Sequence, residues 1–513
     1  MAQASPPSER FDPDFYRREY PDVAASGIDP WDHYDGWGRA EGRLPWRLRA
    51  LVAERDLWAG LDVGARGNLA RLAGDADARE RGRALWALMV WHAAEGDWPA
   101  ARAALDRLLP DRAARGYQRG PGVGLLAVAI LARTGAPPRT AAALLRCLAR
   151  RGETADTALA RGLLARAAGA DPAVALLAPL APVYARAGLA PPALHGADGP
   201  LLDRLAAPHA PPGARWHLAR ARDRLRDRLV GAGPGDRRAA PLVSVIVPAK
   251  DAAATLPTAL AGLVAQSWRA LEILVVDDGS TDATRAVARA WARRDRRIRV
   301  LAGPGQGAYA ARNAGMAAAR GAFVTVHDAD DWSHPARIAE QVRPLLEDPA
   351  LAATVSHLVR LSPDGVPIRW RMEPAEGWVH RNLSSLMLRA GVRARLGFWD
   401  RVRAGGDSEY LERLVAAFGP DALADVRPGL PLSFVRSGPE TLTRAATTHI
   451  RTRVFGPRRD YETAAQRWHA RTLAMAGLSA AGQGRGGTAR DAARAAALHL
   501  PERPARRPFA APP

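Results

Sequence analysis

VTVHDADDWSHP, residues 324–335, ends a run of apolar and β-branched residues with the carboxylates of Asp328, Asp330 and Asp331. The mutual repulsion of three acids within four residues raises the free energy of ionising all of them. Similar apolar runs occur upstream, and helix-forming stretches separate them, which is typical of a parallel sheet with helices on its faces. The predicted strands are 242–248, 271–278, 297–301 and 322–328, and the predicted helices lie near 255–266, 282–294 and 309–320.

The rest of the chain has a different composition. At 513 residues it is too long for a single ordinary core. The residues upstream of the sheet are rich in Ala, Leu and Arg, and Gly96, Gly135 and Gly169 recur at spacings of 39 and 34 residues. This pattern predicts stacked helical hairpins that resemble tetratricopeptide repeats. The predicted segments are a small helical module at 1–48, an all-α repeat-like domain at 49–230, a linker at 231–241, the α/β domain at 242–478 and a disordered tail at 479–513.

Charge and cysteine content limit the possible functions. The formal net charge is +20, but Lys250 is the single lysine and the other basic residues are arginines. Because no zinc-finger spacing or basic and aromatic repeat accompanies this charge, we do not predict nucleic-acid binding. The single cysteine, Cys147, excludes an internal disulfide and a multi-cysteine metal site. With no apolar run near the roughly 20 residues that span a bilayer and a polar, acidic start, we expect a cytoplasmic protein, attached at most peripherally to the inner face of the cell membrane.

Acids follow two of the predicted strands. Asp277 and Asp278 end one strand, and the acids of residues 328–331 follow another. Ligands bind beyond the carboxyl ends of the strands in an open α/β sheet, so both groups of acids are expected at one edge. Carboxylates in a tight turn suit Mg²⁺ or Mn²⁺, which accept one or two of them together with substrate phosphates. A simpler interpretation is also open, because such acids complement a helix dipole or form a turn and N-cap.

Four stretches, in order, resemble the signatures of glycosyltransferase family 2. They are SVIVPAKDA, EILVVDDGSTDAT, GQGAYAARNAGMAAARGAFVTVHDADDW and GGDSEYLERL, and they cover about residues 240–445. The resemblance implies a GT-A fold, an α/β fold with a mostly parallel sheet flanked by helices. It also implies a nucleotide-diphospho-sugar donor, with a UDP-sugar favoured, and a glycan or other hydroxyl acceptor. Residues 11–45 resemble a short segment found ahead of some bacterial glycosyltransferases, or they only build an aromatic mini-core.

The resemblance implies roles for individual residues. In the family's Asp-x-Asp motif, Asp328 and Asp330 hold the ribose and the metal-bound diphosphate, which makes them the expected ligands of Mn²⁺ or Mg²⁺. The family's usual Pro-Val-Tyr-Asn is Pro-Ala-Lys-Asp here, which removes an aromatic that often lies against the base and leaves Lys250 to contact a phosphate or to be solvated. Arg312 can offer a donor fork to phosphate or form a salt bridge. The expected nucleotide-sugar-binding residues are Pro248, Ala249, Asp251, Asp277, Asp278, Arg312, Asn313, Asp328 and Asp330.

An inverting transfer also needs a carboxylate that removes the proton of the acceptor hydroxyl. Asp407 matches the position of this base, and Glu409 is its main competitor. Asp407 can also be the N-cap of the helix that follows. The family's Glu-Asp motif lacks its first acid here, where the residue is Gly406. The expected acceptor-side residues are His380, Trp399 and Arg436, of which Trp399 can equally belong to the core.

These patterns predict a metal-dependent, inverting glycosyltransferase of surface polysaccharide or glycan synthesis. The helical region is expected to recruit a protein partner or a long acceptor. Two alternatives stay open. A helical-repeat scaffold whose transferase domain only binds is favoured by the altered stretch at 248–251. A nucleotidyltransferase would use similar acids on a similar sheet, but it would attack phosphorus and release pyrophosphate.

Overall fold

The chain forms two compact units. The computed structural model describes residues 11–38, 41, 43–116, 120–135, 138–150, 152–194, 201–205, 240–438 and 456–475. The predicted tail at 479–513 and most of the predicted linker at 231–241 lie outside these residues. The first unit contains 1–148 and 370–377, and the second contains 149–369 and 378–513.

The first unit is helical and starts with a small aromatic core. The side chains of Tyr16, Val23 and Tyr34 are buried against one another, and the hydroxyl of Tyr16 lies 3.2 Å from Nδ1 of His33. Trp37 of the same segment is exposed. Aromatic residues of this segment therefore build a mini-core, as one of the two interpretations had it.

Longer helices follow this aromatic core. Gly96 and Gly135 come directly after helices and take positive φ angles of 79° and 75°, which is the common conformation of a residue that ends a helix. The glycine spacing in the sequence therefore does mark helix ends. The helices are Pro13–Glu19, Pro21–Ser26, Pro30–His33, Arg49–Trp58, Asp62–Leu72, Ala78–Glu95, Trp98–Leu108, Arg112–Gly116, Pro121–Thr134 and Pro138–Ala149, with a π-helix at Tyr34–Gly38.

Residues 370–377 come from a later part of the sequence but pack among these helices. The ring of Trp370 lies 4.6 Å from that of Trp58 in an edge-on arrangement. A Cβ atom added to Gly122 would lie 2.6 Å from the carbonyl oxygen of Glu373, so this close backbone approach requires glycine. The segment is thus an integral part of the helical unit.

The second unit contains the sheet and the helices that directly precede it. The ring of Tyr184 stacks on that of His334 at 5.2 Å, and its hydroxyl donates a hydrogen bond to the carbonyl oxygen of Pro431. The carboxylate of Asp156 accepts the backbone amide of Trp378 at 2.8 Å. These contacts tie the preceding helices to the sheet. The helices are Ala155–Ala167, Pro172–Leu177, Ala181–Arg186 and Leu201–Leu205, with a 3-10 turn at Ala178–Leu180.

The described part of the sheet is mixed and has ten strands. They are β1 (Val243–Ala249), β2 (Leu271–Asp277), β3 (Ile298–Ala302), β4 (Phe323–Val326), β5 (Trp332–Ser333), β6 (Ala353–Leu361), β7 (Pro367–Ile368), β8 (His380–Arg389), β9 (Leu423–Asp425) and β10 (Pro431–Arg436). The order is β3-β2-β1-β4-β8-β6-β10-β5, with β7 and β9 also on β6. The first four strands are parallel, and β8 is antiparallel to β4 and β6. The predicted α/β fold and its first four strands are confirmed.

Helices cover both faces of the central strands. Every residue of β1 and β2 is buried, as expected for parallel strands in the middle of a sheet. Leu260 and Ile338 pack on one face, and Tyr309 and Leu414 pack on the other. No helix of the described residues combines the length and apolar character needed to cross a membrane. The helices are Leu256–Val264, Thr284–Arg294, Ala308–Ala318, Arg337–Glu347, Val392–Leu396, Gly406–Phe418 and Pro457–Met475, with a 3-10 turn at Pro420–Ala422.

Candidate active site

Arg312 joins two of the predicted site residues. It lies one turn into the helix Ala308–Ala318, and its side chain is buried. One terminal nitrogen donates to Oδ1 of Asp328 at 2.8 Å, and the other donates to Oδ1 of Asp407. Asp328 follows the end of β4, whereas Asp407 lies in the first turn of the helix Gly406–Phe418. One guanidinium thus connects two acids that are far apart in the sequence.

Burial and this bridge act in opposite directions on the two carboxylates. Burial alone would raise the pKa of Asp328, but the charge and hydrogen bond of Arg312, with a hydrogen bond from Ser384, lower it overall. For Asp407, burial outweighs the effect of Arg312, so the pKa is raised. Although burial opposes it, the negative charges of Asp407 and Asp328 raise the pKa of Arg312. Asp407 is therefore the carboxylate of this pair that binds a proton more readily.

Tyr309 also contacts Asp407, and it was not predicted from the sequence. Its hydroxyl donates to Oδ2 of Asp407 and accepts from the Asp407 amide, both at 3.3 Å. A Cβ atom at Gly406 would lie 2.9 Å from the Tyr309 ring. The ring therefore occupies the space of a side chain at the position where the family resemblance expects an acid. A sequence signal existed, because Tyr309 lies three residues before Arg312 and thus on the same helix face.

The other two acids of the motif lie where their charge is disfavoured. Asp331 is buried, and its Oδ1 accepts the amide of Arg436 at 3.2 Å. Burial, together with the charge of Asp328, raises the pKa of Asp330 to about 6. Burial and the charges of Asp330 and Asp328 raise the pKa of Asp331 well above its ordinary value. The repulsion expected from the sequence is therefore present in the fold.

A small polar pocket adjoins these acids. Arg337 is buried in its wall, and burial lowers the pKa of this side chain to about 10. Burial and the charge of Arg337 lower the pKa of His327 to about 3, so its imidazole is neutral. Nε of Arg337 and Nε2 of His327 have no hydrogen-bond partner among the described residues. The lining residues are Val326, His327, Asp328, Asp331, Ser333, Arg337, Asn382, Ser384 and Ser433.

The chemistry of the acidic motif fits a divalent metal ion. Carboxylate oxygens are hard ligands of the kind that Mg²⁺ and Mn²⁺ prefer, and a cation would relieve the repulsion among the acids. Within the described ranges, no three His, Cys, Asp or Glu side chains are arranged to hold a metal ion by themselves. Mg²⁺ commonly takes one or two protein carboxylates and completes its shell with substrate phosphate and water. Because Oδ1 of Asp328 is bonded to Arg312, Asp330 is the stronger candidate ligand.

The two acids at the end of β2 are held by backbone amides. Asp278 accepts the amides of Gly305 and Gly307 at 2.8 and 2.6 Å. Asp277 accepts the amide of Ser280 at 3.1 Å. Both acids therefore lie at the expected edge of the sheet and have the turn-forming role that the sequence left open. Their contact with a nucleotide-sugar stays a prediction.

The stretch 248–251 is tied to the same turn. The carbonyl oxygen of Ala249 accepts the amide of Asp278 at 2.8 Å. Asp251 has a φ of 47°, and its Oδ1 accepts the amide of Thr281 at 2.7 Å. This hydrogen bond is the main cause of the lowered pKa of Asp251. Pro248 and Ala249 thus end β1 beside the acids of β2, where the sequence placed the nucleotide.

Two predicted residues, Asn313 and Trp399, are hydrogen-bonded to each other. The side-chain amide of Asn313 donates to the carbonyl oxygen of Trp399 at 2.8 Å, and its oxygen accepts the Trp399 amide at 3.0 Å. The ring of Trp399 is buried and stacks on that of Tyr410 at 4.7 Å. Of the two interpretations of Trp399, its burial favours the core.

Glu409 does not join the acidic cluster. Its two carboxylate oxygens accept hydrogen bonds from Arg413 at 2.9 and 2.5 Å, and one of them lies 2.8 Å from Nε2 of His469. Glu409 is buried in this network, so the fold does not bring its carboxylate to Arg312. His380, on the acceptor side of the prediction, begins β8, and burial lowers its pKa to about 3.

Arg436, at the end of β10, does reach the acidic motif. Its Nε donates to the carbonyl oxygen of Asp330 at 3.1 Å. One terminal nitrogen donates to the carboxylate of Asp203 in the helix Leu201–Leu205. Sequence analysis missed Asp203, because no spacing pattern links this helix to a motif more than a hundred residues later.

Part of this chain is similar to known proteins. Residues 244–390 match the model of glycosyl transferase family 2. The uncharacterized glycosyltransferase YibD of Escherichia coli is 37% identical over 106 residues, which are 21% of this chain and 31% of that protein. The putative glycosyltransferase EpsH of Bacillus subtilis is 37% identical over 103 residues, 20% of this chain and 30% of that protein. The hyaluronan synthase of Pasteurella multocida is 30% identical over 125 residues, 24% of this chain and 13% of that protein.

The chain spans about a third or less of the length of these three relatives. Among solved structures, Staphylococcus aureus TarS in complex with UDP is 17% identical, with a TM-score of 0.32 over 39% of this chain and 61% of that chain. The mannosyltransferase PcManGT of Pyrobaculum calidifontis, in complex with GDP-Man and Mn²⁺, is 20% identical, with a TM-score of 0.32 over 55% of this chain and 86% of that chain.

Residues 244–390 therefore form a glycosyltransferase family 2 domain. The match confirms the family that the four motifs indicated. It includes Arg312, Asp328 and Asp330, whereas Asp407 and Arg436 follow it in the sequence. The site described above thus combines the matched domain with residues that lie outside it.

Proposed function

We propose that this chain is an inverting, metal-dependent glycosyltransferase. It moves a sugar, a hexose in the simplest case, from a nucleotide-diphospho-sugar to a hydroxyl of a glycan acceptor, and a UDP-sugar is the favoured donor. The observation that carries this proposal is the bridge from Arg312 to Asp328 and Asp407. It holds an acid of the donor-binding motif and the candidate base on one guanidinium.

Asp407 is the proposed general base. Its raised pKa makes it a better proton acceptor than an exposed carboxylate. As the acceptor oxygen bonds to the anomeric carbon of the donor sugar, Asp407 takes the hydroxyl proton. The bond from that carbon to the diphosphate oxygen breaks on the opposite face, so the configuration inverts, as in inverting hydrolysis. Arg312 and Tyr309 orient the carboxylate for this step.

Asp330, with Asp328, is the proposed holder of Mn²⁺ or Mg²⁺. When bound, such a cation supplies positive charge to the leaving diphosphate. The chain adds its own positive charge nearby, because the side chain of Arg436 bonds to the backbone of Asp330. Asp277 and Asp278, at the end of β2, are proposed to shape the end of the sheet where the nucleotide binds.

The acceptor and the cellular setting are further parts of the proposal. The similarity to a hyaluronan synthase over 125 residues supports a role in bacterial surface polysaccharide synthesis. His380 is proposed to lie on the acceptor side, and the helical region to recruit a protein partner or a long acceptor. The proposed location is the cytoplasm, with peripheral attachment to the inner face of the membrane.

The decisive experiment measures nucleoside diphosphate release from a panel of UDP-, GDP- and dTDP-sugars, with Mn²⁺ and with a chelator. Slow donor hydrolysis needs no knowledge of the acceptor. We expect release from one donor class with Mn²⁺, loss of release in Asp330→Ala, and at least a hundredfold loss in Asp407→Asn, the lower range of general-base effects. Asp421→Ala, an exposed acid in a 3-10 turn of the same domain, is the matched control and should retain full release.

Two outcomes contradict the proposal. Release of pyrophosphate would identify attack on phosphorus and favour a nucleotidyltransferase. Absence of both release and metal-dependent donor binding by calorimetry would favour a scaffold whose transferase domain has lost activity.

A further inference from the structure

The guanidinium of Arg436 lies beside two acids but is paired with a third. Its Nε donates to the backbone carbonyl of Asp330 at 3.1 Å, and its backbone amide donates to Oδ1 of Asp331 at 3.2 Å. The ion pair of the side chain is made with Asp203. The guanidinium of Arg436 is thus paired with Asp203 and not with a carboxylate of the motif. Only the backbone amide of Arg436 bonds to one of those carboxylates.

Asp203 is itself held in place, so it can fix the orientation of the Arg436 side chain. Its Oδ1 also accepts the hydroxyl of Thr258 at 2.6 Å. The helix Leu201–Leu205 that carries it is anchored by three buried leucines, which are Leu201, Leu202 and Leu205. The Arg436 side chain is 19% exposed and that of Asp203 is 37% exposed, so the pair is partly exposed to solvent.

Among the described residues, the acids that Arg436 touches besides Asp203 are Asp330 and Asp331 of the motif, so without Asp203 its side chain could pair with them. A guanidinium next to a carboxylate forms strong, often bidentate, hydrogen bonds. Pairing of this kind would occupy the oxygen atoms that Asp330 is proposed to offer to a cation.

We propose that Asp203 is a positioning residue that restrains Arg436 and thereby keeps the carboxylate of Asp330 accessible to a divalent cation. The inference rests on the metal site of the proposed function. It gives the helical segment that precedes the sheet a direct role at the site, because Asp203 belongs to that segment. Arg436, so restrained, stays beside the motif through its bond to the backbone of Asp330.

The test is a titration of the full-length protein with Mn²⁺ alone. Electron paramagnetic resonance and calorimetry monitor the binding. Asp203→Asn keeps the shape of the side chain and an oxygen that can accept from Thr258, so the fold is expected to persist, which circular dichroism checks. We expect the Kd for Mn²⁺ to rise about two- to fivefold, the size of a partly exposed ion pair. In an Arg436→Ala background the same substitution should change the Kd by a factor of about one.

Asp171→Asn is the matched control. Asp171 pairs with Arg204 of the same helix at 3.7 Å, and an asparagine keeps its N-cap role at the helix Pro172–Leu177. Its substitution removes one negative charge from the same segment without releasing Arg436. The Kd for Mn²⁺ should therefore stay at the wild-type value.

Three results would overturn the inference. They are an unchanged Kd in Asp203→Asn, an equal rise with and without Arg436, and a similar rise in Asp171→Asn. The second and third would mean that Asp203 acts only through its own charge.

If the wild-type protein binds no Mn²⁺, both this inference and the proposed metal role fail, while nucleoside diphosphate release with chelator would keep the transferase function. Metal-dependent release combined with an unchanged Asp203→Asn would refute the positioning role alone.

Discussion

The carboxylate of Asp407 is set between opposing influences. Burial raises its pKa, whereas the charge of Arg312 and hydrogen bonds from Arg312 and Tyr309 act to lower it. A general base acts only in its ionised form, so activity is expected to fall as the pH falls through this pKa. The residues around Asp407 therefore determine the acidic limb of the pH profile.

Tyr309→Phe should move this limb to higher pH. The substitution removes a hydrogen bond that favours the ionised carboxylate, so the pKa of Asp407 rises. Activity at low pH is then lower than in the wild type. Because burial and the charge of Asp407 raise the pKa of Tyr309, the phenol stays protonated and is a donor throughout the working range. A net hydrogen-bond contribution of about 0.5–1.5 kcal/mol corresponds to a shift of at most about one pH unit. The measurement is kcat/KM against pH.

Tyr410→Phe is the control for this prediction. The Tyr410 hydroxyl is also buried, but it donates to the carbonyl oxygen of Gly397 at 3.1 Å. Its removal should lower stability and leave the acidic limb where it is. An unchanged limb in Tyr309→Phe would show that the phenol does not act on the base.

At the scale of elements, the helix Gly406–Phe418 carries two acids with opposite surroundings. Asp407 faces Arg312 and Tyr309, whereas Glu409 is buried against Arg413 and His469. His469 belongs to the helix Pro457–Met475, so Glu409 helps to hold these two helices together. The structure thereby assigns different expected effects to two residues that the sequence treated as competitors.

Glu409→Ala should destabilise the protein by up to about 3–5 kcal/mol, because it removes the buried carboxylate that pairs with Arg413 and leaves Asp400, at 3.7 Å, as the remaining acidic partner among the described residues. Urea unfolding measures this loss. Asp407→Asn should instead keep most of the stability and lose activity. Glu412→Ala, a partly exposed acid on the same helix, is the control and should change neither quantity. A Glu409→Ala protein with normal stability and no activity would reverse the two assignments.

Part of this element structure could be predicted from the sequence, for physical reasons. Central parallel strands are buried on both faces, so they form continuous apolar runs such as that of β1, and acids at their ends stand out. Residues two apart on a helix face different sides, so Asp407 and Glu409 were expected to have different surroundings. The sequence could not show which of the two faces the site. Which side is buried depends on the helix Pro457–Met475, for which the sequence offered no motif. The partners of Arg312 could not be predicted either, because an arginine is equally suited to a salt bridge and to a phosphate contact.

At the scale of the whole molecule, the sequence predicted a helical region followed by an α/β domain, and the structure has both. It did not predict that residues 370–377 belong to the unit formed by the N-terminal helices. Such a contact is invisible to periodicity and composition, which report only local structure. The glycines at 120 and 122, where the backbone of this segment comes close, were the available signal.

Gly122→Ala should loosen the segment. The added Cβ would lie within 2.6–3.0 Å of three carbonyl oxygens of residues 373–376, and overpacking of this kind costs about 1–3 kcal/mol. Limited proteolysis with chymotrypsin should then cleave after Trp370 faster than in the wild type. Gly64→Ala is the control, because its Cβ would meet no atom within 4 Å and alanine favours a helix. Equal cleavage rates in the two variants would mean that the close approach at Gly122 does not hold the segment.

The position of this segment in the chain also determines when the helical unit can be completed during synthesis. Residues 370–377 leave the ribosome more than 200 residues after the helix Pro121–Thr134. At about 5–20 residues per second, this delay is on the order of ten to fifty seconds. During that time the N-terminal helices expose the surface around Trp58 that the segment later covers. Most of the sheet is therefore translated before the first helices of the chain reach their final packing.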